Sequence, residues 1–150
     1  MIGDSARSFE TLARLKEQDE RTAAEKLRAA RERLDDERHK LTTVQRYMHE
    51  YATSASGKGV QTRLLADRQR FRIELERSVE AQHAAVERAE AQAEAARAHW
   101  SGVRAERQAM TRLIEKNEAA SLKKTVQADQ RQSDEQAQDM AIRADIYPAS

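Results

Sequence analysis

Cysteine is absent from the 150 residues, which excludes a disulfide framework and a thiolate metal site and agrees with a reducing compartment. Proline occurs once, as Pro148, so nothing from Met1 to Tyr147 forbids helix. Aromatic residues make up 4% and hydrophobic residues 39%, against 35% charged, which is too little apolar mass for a broad core. No stretch approaches the ~20 apolar residues of a membrane span. The start, Met1-Ile2-Gly3-Asp4-Ser5, lacks the apolar centre of a secretory signal, so a cytoplasmic protein is expected. Charge of one sign is missing too. The 27 Lys and Arg residues nearly balance the 26 Asp and Glu, which removes the uniform basic field of a nucleic-acid or anionic-membrane binder. Nucleic acid is not an expected partner.

What is present is helix-forming: Ala, Glu, Arg, Gln, Lys and Leu dominate. Leu27, Ala30, Leu34, Glu37, Leu41, Val44, Met48 and Tyr51 recur three and four residues apart, one stripe of a supercoiled helix in which only Glu37 is out of character. Upstream, Phe9, Leu12, Ala13, Ala23 and Ala24 lie near the stripe, but Lys16 and Glu20 interrupt it. Small residues and glycines cluster from Ala52 to Gly59, marking a reversal at Ser56 to Gly59. A second stripe follows through Leu75, Val79, Gln82, Val86, Ala89, Ala93, Ala96, Trp100 and Val103, with a four-four stutter at Phe71, Leu75 and Val79.

The expected fold is all-α, two long helices forming an antiparallel coiled-coil hairpin. It is read as one domain over 1–150, with helix 1 at about 5–53, a turn at about 54–60, helix 2 at about 61–128 or beyond and a mobile C-terminal tail. Folding back at the glycines sets residues whose numbers add to about 115 opposite one another, pairing Tyr51 with Leu64, Val44 with Phe71 and Leu41 with Leu75. Large residues then meet near the turn, where packing should be best. Farther out alanines face alanines, which should leave the middle thin and marginally stable. By the same arithmetic the segment from Thr111 onward, with Leu113, Ile114, Leu122 and Val126, has no partner inside the monomer. The string Asp129 to Glu135 is polar all round.

Catalytic and ligand motifs are missing. Gly57-Lys58-Gly59 resembles a phosphate loop, but Ala52 stands where its first glycine belongs and Gly59 where it needs Ser or Thr, so it reads as a turn. Glu80 and His83 have the spacing of a di-iron helix, which requires a second copy and two further carboxylates. Asp35 and His39 are more cheaply a solvated pair, and His49 and His99 have no partner at ligand spacing. No metal, no cofactor and no catalytic residue is assigned, and an enzyme is not expected.

The few rings carry more information. Tyr51 and Phe71 fit core packing near the turn, whereas Tyr47 lies one position off the stripe and leans over its edge, which favours partner contact. Trp100 falls opposite the region of Lys16, where packing and partner binding are balanced alternatives.

Gln45-Arg46-Tyr47-Met48-His49-Glu50-Tyr51, then Arg70-Phe71-Arg72-Ile73-Glu74-Leu75-Glu76 with Val79 and Gln82, then Ala96-Arg97-Ala98-His99-Trp100 and Asp134-Glu135-Gln136-Ala137-Gln138, together resemble the flagellar export protein FliJ family over most of the chain. That resemblance implies a soluble component of the flagellar type III export apparatus. It would be a stalk-like coiled coil linking the ring of the export ATPase FliI, with its regulator FliH, to the export gate protein FlhA, and would assist recycling of substrate-specific export chaperones. Such a protein would be peripheral at the cytoplasmic face of the inner membrane, held there by protein partners. The family residues that face the gate match Val44, Tyr47, Tyr51, Phe71 and Leu75, while Lys40 replaces a glutamine and Gln82 a histidine. Trp100, Leu113 and Ile114 are further partner-binding candidates; the overhang after Met110 suits the ATPase and its regulator, and truncation there should alter ATPase stimulation and binding. The equivalent stalk of a virulence secretion system and a general coiled-coil scaffold or adaptor are the alternatives.

Overall fold

In a computed structural model, residues 2–54 and 62–147 are described. They form two helices, α1 (Ile2–Ser54) and α2 (Thr62–Ile146), with no strand among the described residues. The expected reversal at Ser56 to Gly59 lies outside the described residues. The two helices pack in two units, one built from residues 16–105 and the other from residues 1–15 with 106–150.

In the unit of residues 16–105 the helices pair antiparallel through a heptad seam. On α1 the least exposed positions are Lys16, Glu20, Ala23, Leu27, Ala30, Leu34, Glu37, Leu41, Val44, Met48 and Tyr51, alternately four and three apart. Lys16 and Glu20 therefore continue the stripe they were expected to break. Both have long methylene stems that can lie along an apolar surface while the charged heads reach water. On α2 the seam runs through Leu75, Val79, Gln82, Val86, Ala89, Ala93, Ala96, Trp100 and Val103. Its upstream continuation is Arg68, seven residues before Leu75, so burial keeps a regular heptad instead of the expected stutter, and Phe71 stands on the flank at 47% exposure.

The register also differs from the expected one. Tyr51 meets Arg68 and Phe71, not Leu64, and Gln82 meets Glu37. These contacts lie about one helical turn farther from the bend than numbers adding to 115 would put them. Helical side chains lean back toward the N-terminus of their own helix, so Tyr51 reaches past the residue directly opposite.

Fractional burial is greatest away from the bend. Among the described residues the buried ones are Ala23, Leu27, Val86 and Ala89, all in the alanine-rich stretch, whereas the large residues near the bend are half-buried or exposed. Alanines let the two backbones approach until little of either remains accessible. Two helices alone cannot wrap a large ring from every side.

In the unit of residues 1–15 and 106–150, Phe9 and Ala13 of α1 and Met110 and Ile114 of α2 are half-buried. A groove of about 520 Å³ is lined by Ser5, Ala6 and Phe9 from α1 and by Ile114, Ala120 and Leu122 among others from α2. The segment just after Thr111 thus has a partner within the chain, contrary to expectation, because α1 starts at Ile2 and its first turns lie beside residues 114–125. From Glu115 to Tyr147 every residue is exposed, including Leu122 at 67% and Met140 at 73%. Asp129 to Glu135 belong to α2 and are exposed on all sides.

Candidate partner-binding surface

The surface at the bend end of the 16–105 unit is built outward from Tyr51. Its seam position turns the ring toward α2, where the phenol hydroxyl donates to the Arg68 carbonyl at 3.1 Å. The Phe71 ring meets it edge-on, with centroids 4.8 Å apart and planes at 62°. Tyr51 is held at both ends, by its hydroxyl and by its ring edge. Tyr47, one turn earlier and one position off the seam, has no such tie among the described residues and is 62% exposed.

Between the helices these rings frame a groove of about 310 Å³ lined by Tyr47, Glu50, Tyr51, Ser54, Phe71 and Leu75. Of the five residues expected to face the gate, four line it; Val44 is half-buried in the seam instead. Glu50 and Ser54 were missed, although they follow Tyr47 at three and seven residues and so share its face. Lys40 lies 3.5 Å from Glu37 in an ion pair. Gln82 is engaged inside the seam, where its amide donates to the Glu37 carbonyl at 2.9 Å and also to the Glu37 carboxylate. The Gln82 donor, aided by Lys40, holds the Glu37 carboxyl below its ordinary value. The two polar residues in the middle of the facing stripes thus pair with each other.

Residues 5–145 match the family model described as Flagellar FliJ protein. The chain belongs to the FliJ family. No curated protein and no solved structure matches it. Membership makes it a flagellar-type, export-related coiled-coil protein, from a family that serves as a structural component of export and not as a catalyst.

The other FliJ candidate positions lie elsewhere on the helices. Trp100 is half-buried and shares a groove of about 430 Å³ with Ala24, Leu27, Arg28 and Arg31, not with Lys16 as expected, a consequence of the farther register. The Arg104 guanidinium carbon lies 5.2 Å from the Trp100 ring centroid, a cation–π contact. Arg28 is engaged by Glu25 and Glu32 on its own helix. Those partners raise its affinity for the proton. In the other unit Leu113 is 43% exposed, while Ile114 lines the groove beside Phe9. Among the described residues no group of three His, Cys, Asp or Glu side chains is placed to hold a metal ion, so Glu80 and His83 gain no further ligand. No helix is long and apolar enough to cross a membrane among the described residues.

Proposed function

We propose that this chain is the stalk component of a flagellar type III export apparatus, and that its bend-end surface binds the export gate protein FlhA. The observation that carries the reading is the exposed Tyr47 ring standing beside a Tyr51–Phe71 pair that is fixed by its own contacts, on a chain that matches the FliJ family from residue 5 to residue 145. A rigid backing with one free ring is what a recognition surface requires, because little side-chain entropy is left to lose on binding. The unit of residues 1–15 and 106–150 would then serve the ATPase FliI and its regulator FliH. Exposed apolar residues such as Leu122, Val126 and Met140 support that assignment. Recycling of export chaperones and a position at the cytoplasmic face of the inner membrane complete the reading, the protein being held there by its partners.

The test is capture of the FlhA cytoplasmic region, with its linker, on immobilised full-length chain. Tyr47→Ala should abolish capture while the helical signal stays at the wild-type level. Capture by Tyr47→Ala at wild-type strength would place the gate contact elsewhere.

A further inference from the structure

We infer that the bend-end groove receives a cationic side chain, a lysine or arginine presented by the partner, seated against Glu50 and the faces of Tyr47 and Phe71. The inference rests on the gate-binding reading for the identity of that partner, but its chemistry comes from the groove alone. Glu50 is the only charged side chain among the six lining residues. It forms no ion pair among the described residues, and Arg46, one turn earlier, does not reach it. Three of the other five lining residues are aromatic, and Tyr47 and Phe71 are 62% and 47% exposed, so ring surface is open to an incoming group.

A purely apolar occupant would cover the Glu50 carboxylate and give it nothing in return, a desolvation cost with no compensation. An anionic occupant would be repelled. A guanidinium or ammonium group supplies the missing counter-charge and at the same time lies over ring faces that attract cations. The unit already contains one instance of that second contact, Arg104 over Trp100 at 5.2 Å. The Tyr51 hydroxyl already donates to the Arg68 carbonyl, which fixes the ring as a wall of the groove.

Two measurements on the full-length chain decide it. In the first, argininamide is titrated against citrullinamide, which has nearly the same shape without the charge, while the ring and backbone resonances of Tyr47, Glu50 and Phe71 are followed by NMR. Argininamide should shift them and citrullinamide should not, and Glu50→Gln should remove the difference. Equal shifts with both amides, or none with either, would overturn the inference. In the second, binding of the FlhA cytoplasmic region is measured at low and high salt. Glu50→Gln should weaken it about tenfold, Glu50→Lys should weaken it further, and the salt dependence should shrink in both variants. Wild-type affinity in Glu50→Lys, with Tyr47→Ala still inactive, would sink the cationic contact and leave the gate reading standing. No binding of FlhA to wild type, with the argininamide shifts intact, would do the reverse.

Discussion

Tyr47 and Tyr51 are one helical turn apart and chemically identical, yet the structure gives them different work, and replacing each in turn separates the two roles. Tyr51→Phe removes the hydrogen bond to the Arg68 carbonyl and nothing else, a loss of about 1 kcal/mol. Tyr51→Ala also removes the edge-on contact with Phe71, worth about 1 kcal/mol, and the buried part of the ring, about another 1 kcal/mol. The expected cost is therefore about 3 kcal/mol. Tyr47→Ala loses a ring that is 62% exposed, so the change should stay within about 0.5 kcal/mol. Urea unfolding of the full chain, followed by helicity at 222 nm, reads both. A Tyr47→Ala variant as destabilised as Tyr51→Ala would place Tyr47 in the seam and remove the reason for calling it a docking residue. A Tyr51→Ala variant as stable as wild type would show that the bend-end contacts contribute nothing to holding the helices together.

Leu27→Ala should cost about 2 kcal/mol, the low end for a buried leucine because the surrounding layers are thin, while Leu122→Ala should fall within about 0.5 kcal/mol; equal costs in thermal melts would contradict the burial pattern. Gln82→Leu should destabilise the protein at neutral pH, where the Glu37 carboxylate is ionised and accepts the Gln82 amide. Because the folded carboxyl sits below its ordinary value, that stabilisation is present above the unfolded value and is lost as pH falls through the folded one. The gap between wild type and Gln82→Leu should accordingly narrow with acidification, and a gap independent of pH in paired melts would show that the charged form of Glu37 is not what Gln82 holds. Trp100→Phe should blunt the contact with Arg104, so Arg104→Ala should perturb fluorescence in wild type; an unchanged Trp100 emission on that substitution would mean the guanidinium is not over the ring.

The two helices and the heptad stripe from Leu27 to Tyr51 were legible because apolar residues and their spacing carry that signal directly. Lys16 and Glu20 were not, since a seam position filled by a long charged side chain looks in sequence like a break. The register was harder still. Numbers adding to 115 set Glu37 opposite Ser78, and on that pairing Glu37 and Gln82 are two unrelated blemishes. One turn of displacement makes them a single hydrogen-bonded pair, the kind of polar layer that fixes alignment at some cost in stability. For the site, the rings were found because aromatics are scarce, while Glu50 was hidden in a sequence where charge is everywhere and only the groove sets it beside the rings.

The contrast between the two ends of the seam in the 16–105 unit bears on why the recognition surface would sit at the bend. Where alanine faces alanine, the backbones come close and burial is nearly complete, as at Ala23 and Ala89, which are 2% and 3% exposed. Apart from the Trp100 groove, such a stretch offers a partner little apolar surface. Where the seam carries Tyr51 and Leu75, with Phe71 on its flank, two helices cannot cover all of each side chain, and the uncovered part faces outward by geometry alone. A large residue in a two-helix seam therefore stabilises the pair with one side and remains available with the other. This makes the partly covered rings better docking candidates than Met140, which is 73% exposed.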